Sequence, residues 1–224
     1  MTQKYLLMIT NPKETCLVLD LDDTLYKEYD YQTSGLKFIE NKVFELYNID
    51  LNGKLLNLRD QGNKDIFQEL TNILQIPTPV KKSFLSMYRY HKPNIELTLD
   101  VKKFINFALN EFGQIAILTD GRSISQRLKL ESLNLLKIPT FISEEWNSRK
   151  PDNKRFIAIM EKYNDCSKFC YIADNPSIDF VTPNSLNWQT IGIQKSKQNI
   201  HPQITGLNKN YYPDLWIESL TDII

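Results

Sequence analysis

The chain has 224 residues and a mass of 26.3 kDa, and 27 Lys and Arg residues balance 27 Asp and Glu residues, so its formal net charge is zero. That balance argues against general binding to a nucleic-acid backbone, which needs a surplus of basic residues. With 42% hydrophobic and 24% charged residues the composition is that of an ordinary folded protein, and no apolar run approaches the roughly 18 residues of a membrane-spanning helix.

The cysteines and the N-terminal segment bear on the compartment. The chain has an odd number of cysteines, and their spacing forms no metal-binding pattern, so we expect reduced thiols at Cys16, Cys166 and Cys170. The apolar stretch 5–9 is too short for a signal-peptide core, and no small-residue cleavage site follows it. These features predict a cytoplasmic protein. His201 lies in a polar segment and is expected to be exposed.

Five short apolar runs predict β-strands. Most of them are almost continuous in apolar residues, which is typical of strands covered on both faces of a parallel sheet. The predicted strands are 16–21, 114–119, 140–143, 169–173 and 189–193.

Amphipathic helical patterns separate these runs. Apolar residues recur at helical spacing over 101–112, where Gly113 supplies a stop, and over 156–163, with Asp152 as the expected N-cap. The stretch 124–135 is a third candidate. Strands separated by helices of this length indicate βαβ units, so we predict an α/β fold with a parallel sheet.

The region from about residue 26 to 93 breaks that alternation, since it holds helical patterns and no clear strand. Three patterns lie near 36–47, 66–74 and 80–91, and the prolines of 76–79 separate the last two. We therefore predict an α/β core formed by residues 1–27 and 94–224, with residues 28–93 as a helical insertion.

Carboxylates follow the first and the fourth predicted strands. Asp20 and Asp22 come where the first run ends, and Asp174 and Asp179 come after the fourth. In an open parallel sheet, ligands bind beyond the carboxyl ends of the strands. Carboxylates placed there are costly unless a positive group compensates them, and Mg²⁺ prefers such oxygen ligands. The pattern favours a Mg²⁺ site in which Asp174 joins Asp20, while Asp179 orients Lys150 or a water at the metal.

Residues suited to bind a phosphate follow the second and third strands. Thr119 offers a hydroxyl, and Gly121 lets backbone N–H groups of the Thr119-Asp120-Gly121 turn approach an anion. The N-terminus of the next helix adds a positive dipole. Lys150, which precedes Pro151, would neutralise a transferring phosphoryl group. Each of these alone is also typical of an ordinary turn or a solvated lysine, but together and in order they predict phosphoryl chemistry.

Four motifs resemble those of the haloacid dehalogenase-like hydrolase superfamily: Asp20-x-Asp22-x-Thr24, Thr119, Lys150-Pro151 and Asp174-x4-Asp179. The resemblance spans residues 16–180 and implies a Rossmann-like core with strand order 5-4-1-2-3. A helical insertion directly after the first motif resembles the cap of the phosphoglycolate-phosphatase-like branch. One residue departs from the family pattern, because the position before the fourth-motif aspartate is commonly glycine and is Ala173 here.

The resemblance implies a role for each motif residue. Asp20 would attack phosphorus and form an aspartyl-phosphate, which splits hydrolysis into two easier steps. Asp22 would protonate the leaving oxygen and then activate water. Mg²⁺ would be held by Asp20, the backbone carbonyl of Asp22, and Asp174. The phosphoryl oxygens would be held by Thr119, Asp120, Gly121 and Lys150.

Asp22 also separates branches of the superfamily. The dehalogenases act on carbon, need no metal and lack this second aspartate, so its presence favours phosphoryl transfer. We therefore predict a Mg²⁺-dependent phosphatase for a small phosphorylated metabolite, with no nucleic-acid or membrane partner. A phosphomutase shares the motifs, and a non-catalytic module that binds a phosphate ligand or a protein is a second class of function.

The substrate depends on cap residues that the motifs do not include. Similar helical-capped enzymes act on sugar phosphates, phosphoglycolate, nonulosonate 9-phosphates and nucleoside monophosphates. The segments 174–180 and 188–191 resemble hydrolases found with bacterial surface-sugar genes. We therefore favour a sugar phosphate, with a nucleoside monophosphate as the alternative. The oligomeric state stays open.

Overall fold

The computed structural model describes residue 9 and residues 11–194, 199 and 206–224. Most of the N-terminal stretch 5–9 and His201 therefore lie outside the described residues. The chain divides into two compact units, the larger formed by Met1–Glu28 and Glu96–Ile224 and the smaller by Tyr29–Ile95. The smaller unit is thus inserted in the chain of the larger one.

The larger unit contains a parallel β-sheet with six strands among the described residues. In chain order they are β1 (Thr15–Leu19), β2 (Gln114–Thr119), β3 (Thr140–Ile142), β4 (Lys168–Ala173), β5 (Gln189–Ile193) and β6 (Leu215–Ile217). Their order across the sheet is β3-β2-β1-β4-β5-β6. The predicted order 5-4-1-2-3 lies within this arrangement, and the α/β fold class is confirmed. The sequence does not predict β6, an edge strand in which only Ile217 is fully buried, so no apolar run marks it.

The strand ends place the site residues. β1 ends at Leu19 rather than at Leu21, so Asp20 is the first residue beyond it, and β3 ends at Ile142 because Ser143 begins a helix. β1 is buried along its whole length and pairs with both β2 and β4. The strand order reverses at β1, so the carboxyl ends of β1, β2 and β4 adjoin at the point where such sheets bind ligands.

The smaller unit is helical, and no strand occurs within residues 29–95. Its helices are α1 (Glu28–Tyr47), α2 (Lys54–Asp60), α3 (Ile66–Ile73) and α4 (Lys81–Tyr90). Three of them correspond to the predicted patterns. The sequence does not predict α2, a helix of seven residues in which only Leu55 is fully buried. A separate apolar core, which includes Ile39, Leu70 and Phe84, holds the four helices together.

Helices also flank the sheet of the larger unit. They are α5 (Leu99–Glu111), α6 (Ser123–Ser132), α7 (Ser143–Trp146), α8 (Lys154–Lys162) and α9 (Val181–Ser185). The N-cap position of α8 is Asn153 rather than Asp152, although the Asp152 carboxylate accepts a hydrogen bond from the N–H of Lys154 at 2.9 Å. In the part of the chain that the structure describes, no helix has the length and apolar character needed to cross a membrane.

Candidate active site

The candidate site lies at the carboxyl ends of β1, β2 and β4. Leu19 pairs with Ile117 of β2 and with Ile172 of β4, and the N–H of Asp20 donates to the Ile172 carbonyl at 2.9 Å. Asp20 and Asp174 are the first residues beyond two neighbouring strands. Because parallel strands that neighbour each other end at the same edge of the sheet, the two side chains converge.

Three carboxylates form a buried cluster at this edge. Ligand oxygens of Asp20, Asp174 and Asp179 all lie within 4.8 Å of one another, and the residues are 5%, 4% and 0% exposed. A turn brings Asp179 into place: its carboxylate accepts from the N–H of Asn175 at 2.8 Å, and its own N–H donates to the Asn175 carbonyl at 3.0 Å. The structure thus brings together one aspartate of the first motif and both aspartates of the fourth.

Lys150 supplies positive charge to this acidic cluster. Its Nζ lies 2.9 Å from Oδ1 of Asp20, 2.6 Å from Oδ1 of Asp179 and 3.2 Å from the hydroxyl of Tyr171. Asp20 and Tyr171 accept hydrogen bonds from this ammonium, while its contact with Asp179 is an ion pair. Burial by itself lowers the pKa of Lys150, but the carboxylates of Asp179 and Asp20 raise that pKa well above its usual value. Lys150 is therefore charged.

Carboxyl groups nevertheless outnumber the single ammonium within the cluster. Burial and the neighbouring carboxylates of Asp179 and Asp23 raise the pKa of Asp174 to about 7. Burial likewise raises the pKa of Asp20 well above its usual value, against the opposing attraction of Lys150. A donor set made only of crowded oxygens is what a hard divalent cation such as Mg²⁺ prefers, so these residues fit that ion.

We expect the metal-free protein to lose stability as the pH rises from about 4 to 7, because the Asp174 pKa is about 7 in the folded state against an ordinary 3.8. The folded state binds this proton more tightly, so the stabilisation is present at low pH and is lost as the pH rises through the folded-state pKa. One such group changes the unfolding free energy by at most about 1.4 kcal/mol per pH unit. Urea unfolding across this pH range measures the slope.

The variant Asp174→Asn serves as the comparison for this slope, since its amide does not titrate. It should flatten the pH dependence, and Mg²⁺ should stabilise the natural protein more at pH 8 than at pH 5. An identical slope in Asp174→Asn would show that Asp174 is not the group responsible.

Thr119 lies buried at the end of β2, where Arg155 fixes its backbone. The fully buried guanidinium of Arg155 donates to the carbonyls of Thr119 at 2.8 Å and of Phe141 at 3.1 Å, which ties the ends of β2 and β3 together. The Thr119 hydroxyl oxygen accepts a hydrogen bond from the side-chain amide of Gln126 at 2.8 Å. Because the oxygen accepts there, its own proton is available to a bound anion.

Asp120 and Gly121 have structural tasks in the turn that follows. The Asp120 carboxylate accepts a hydrogen bond from the N–H of Lys150 at 3.0 Å and pairs with Arg155, so this side chain fixes the loop. Asp120 can therefore bind an anion only through its backbone. The N–H of Gly121 already donates to the Ser143 hydroxyl at 2.9 Å. A Cβ at Gly121 would lie 2.8 Å from the amide nitrogen of Gln126, so glycine makes room for that side chain.

The carboxylate of Asp22 lies outside the acidic cluster. Oδ1 accepts from the Tyr26 hydroxyl at 2.5 Å and from the Lys129 ammonium at 2.7 Å, while Oδ2 accepts from the Gln126 amide at 2.7 Å. Burial raises the pKa of Asp22, but Lys129 and the other two donors outweigh burial and hold that pKa below its usual value. Asp22 is therefore a charged carboxylate with three donors around it.

Several residues that contact the motif side chains are not predicted from the sequence. They are Gln126, Lys129, Arg155 and Tyr171. The spacing of Gln126 and Lys129 on α6 is a usable signal, since residues three apart share a face of a helix. Tyr26, two residues after Thr24 of the first motif, donates its hydroxyl proton to Asp22.

The fold and the site define a class of α/β proteins that gather carboxylates, a buried lysine and a hydroxyl at the switch point of a parallel sheet. The sequence matches the family of haloacid dehalogenase-like hydrolases over residues 17–193. The chain belongs to that family of hydrolases. Among curated protein sequences, none matches the chain.

Solved structures of similar fold cover almost all of the chain. The HAD-hydrolase YfnB from Bacillus subtilis, bound to magnesium, is 17% identical with a TM-score of 0.63, covering 93% of this chain and 96% of that one. A predicted phosphoglycolate phosphatase from Haemophilus somnus is 17% identical with a TM-score of 0.62, covering 96% and 97%. A 2-haloacid dehalogenase from Pseudomonas syringae is 15% identical with a TM-score of 0.60, covering 93% and 96%. At these identities the similarity shows the fold, which is shared by structures with these different descriptions.

Proposed function

We propose that the protein is a Mg²⁺-dependent phosphatase that hydrolyses a small phosphorylated metabolite through an aspartyl-phosphate on Asp20. The position of Asp22 carries this proposal. Its carboxylate is held apart from the cluster of Asp20, Asp174 and Asp179, so an acid–base group is present in addition to the nucleophile. The dehalogenases of the superfamily lack an aspartate at that position.

In the proposed reaction Asp22, which is charged in the free protein, first takes up a proton from solvent. The Asp20 carboxylate attacks phosphorus, and the bond from phosphorus to the leaving oxygen breaks while protonated Asp22 delivers its proton to that oxygen. Water then attacks the phosphorus of the aspartyl-phosphate and Asp22 takes a proton from it, which yields inorganic phosphate, restores Asp20 and leaves Asp22 protonated for the next turnover. The lowered pKa of Asp22 suits this second task, in which a carboxylate accepts a proton.

The phosphoryl oxygens would be bound by the Thr119 hydroxyl and the Lys150 ammonium, with Asp179 orienting Lys150 at 2.6 Å. Mg²⁺ would be held by the carboxylates of Asp20 and Asp174 and the backbone carbonyl of Asp22. When bound, it supplies positive charge that offsets the repulsion between Asp20 and an anionic phosphate.

Release of p-nitrophenol and phosphate from p-nitrophenyl phosphate tests the proposal. We expect turnover that a chelator abolishes and added Mg²⁺ restores. Halide release from 2-chloropropionate by the same preparation tests the dehalogenase reaction. Halide release without phosphate release would overturn the proposal. If the protein releases neither halide nor phosphate, this result would favour a module that binds a phosphate ligand or a protein.

Asp22→Asn is expected to lower kcat for phosphate release by roughly 10²–10⁴-fold, the range typical of general acid–base catalysis. Mg²⁺ affinity should stay the same, because the proposed ligand at this position is the backbone carbonyl. Steady-state kinetics and calorimetric titration with Mg²⁺ measure the two quantities. A loss of Mg²⁺ affinity with an unchanged rate at saturating Mg²⁺ would contradict this assignment.

Among phosphatase substrates we propose a sugar phosphate. We further propose that the protein acts in the cytoplasm and that residues 28–93 are a cap that selects the substrate. The resemblance of segments 174–180 and 188–191 to hydrolases found with surface-sugar genes supports the sugar phosphate. A panel of sugar phosphates, phosphoglycolate and nucleoside monophosphates, ranked by kcat/KM, tests it. A nucleoside monophosphate at the top of the ranking would overturn it, and phosphate moved between sugar positions without net release would indicate a phosphomutase.

A further inference from the structure

The side chains around Asp22 form a connected polar network within the larger unit. Helix α6 contributes Gln126 and Lys129, and the segment after β1 contributes Tyr26. These three residues are 1%, 4% and 6% exposed. Polar groups so fully removed from water are tolerated when hydrogen bonds compensate them. Here the Asp22 carboxylate is the acceptor that all three share.

Gln126 joins this network to the predicted phosphate-binding residues. Its amide nitrogen lies 2.7 Å from Oδ2 of Asp22, 2.8 Å from the Thr119 hydroxyl and 2.9 Å from the Asp120 carbonyl. An amide NH₂ has two protons, so three acceptors share two donors and together fix where the amide lies. Its oxygen has no hydrogen-bond partner among the described residues, so the contacts of the nitrogen hold the side chain here.

We infer that Gln126, Lys129 and Tyr26 are positioning residues that hold the Asp22 carboxylate in one orientation beside Thr119. This inference rests on the proposed phosphatase function, in which Asp22 transfers protons at oxygens bound near Thr119. An aspartate side chain has several rotamers, and three donors from two separate segments restrict it to one. Proton transfer depends on hydrogen-bond distance, so an Asp22 that rotates away loses rate without losing substrate binding.

Double-mutant cycles with Asp22→Asn separate positioning from a structural role. Lys129→Met removes the charge from a side chain of similar length, and Tyr26→Phe removes only the hydroxyl. In the natural background we expect kcat to fall roughly 10- to 100-fold for Lys129→Met and about 2- to 10-fold for Tyr26→Phe. KM for p-nitrophenyl phosphate and Mg²⁺ affinity should stay unchanged. In the Asp22→Asn background neither substitution should lower kcat further.

Two control variants match these changes elsewhere in the larger unit. Arg127→Met removes a charge from the exposed face of α6, where Arg127 pairs with Glu145 at 2.7 Å. Tyr163→Phe removes a buried hydroxyl that has no hydrogen-bond partner among the described residues. Both should keep the natural kcat.

The outcomes distinguish the inference from the proposed function. Equal slowing by Lys129→Met or Tyr26→Phe in both backgrounds would assign a merely structural role and overturn the inference. A natural kcat in both variants beside a slow Asp22→Asn would also overturn the inference and leave the proposed function standing. If Lys129→Met does not fold, the Tyr26→Phe cycle decides by itself. No phosphate release by the natural protein, or a natural kcat in Asp22→Asn, would overturn the proposed function.

Discussion

Asp20→Asn is expected to lower phosphatase turnover by at least about 10⁴-fold, because an amide is a very poor nucleophile. The fold should stay intact. Burial raises the pKa of Asp20 well above its usual value, so the charged form is costly in the folded protein. A neutral asparagine of the same shape removes that cost, and we expect an unchanged or higher Tm, as is common when a functional group is removed.

Acid-quenched reactions with labelled substrate locate the reacting group. The natural protein should retain covalent label on Asp20, while Asp20→Asn should retain none. Asp100→Asn is a matched control, because Asp100 is an exposed residue of α5 whose side chain is 63% accessible and lies 3.6 Å from Lys103. Natural turnover in Asp20→Asn would rule out the aspartyl-phosphate route.

Lys150→Met should damage both stability and rate. The substitution leaves the buried carboxylates of Asp20 and Asp179 without their shared ammonium. Removing one partner of a buried ion pair typically costs about 3–5 kcal/mol of unfolding free energy. Loss of the group that we propose to hold the phosphoryl oxygens should lower kcat roughly 10²–10³-fold. Urea unfolding and steady-state kinetics measure the two effects.

The pH dependence identifies the cause of the destabilisation. The loss of unfolding free energy in Lys150→Met should be smaller at pH 5 than at pH 8, since raised pKa values let Asp20 and Asp174 take up protons as the pH falls. Lys103→Met serves as the control, because Lys103 is an exposed cation at 3.6 Å from Asp100 and such pairs contribute at most about 1 kcal/mol. Equal losses at both pH values would mean that the cost arises from packing and not from charge.

The central strands can be predicted because they are buried on both faces and therefore almost continuously apolar, as β1 and β2 show. The elements that escape prediction bury little. β6 has three residues and only Ile217 is fully buried, and α2 buries only Leu55. A periodic apolar pattern arises from a buried face, so short elements with one buried residue leave no such signal.

The candidate site divides in the same way. Asp20 and Asp174 can be predicted because each follows an apolar strand directly, and topology alone then brings their side chains together. Gln126 and Lys129 are polar residues in the middle of a helix, a pattern that usually marks a solvated face. Their burial depends on Gly121 and Asp22, which approach only in the folded chain. Contacts of this kind follow from packing and not from local sequence.

The contacts of Lys150 couple the binding of phosphate at the site to the binding of a cation. Asp20 and Tyr171 already accept hydrogen bonds from its ammonium, and Asp179 forms an ion pair with it. A cation that attracts the Asp20 oxygen would release that hydrogen bond for a phosphoryl oxygen. Binding of the cation and of phosphate should therefore be cooperative, each strengthening the other by the same factor. Without the cation, Lys150 stays paired with Asp20. Free inorganic phosphate should therefore be only a weak competitor of the substrate until the cation is bound.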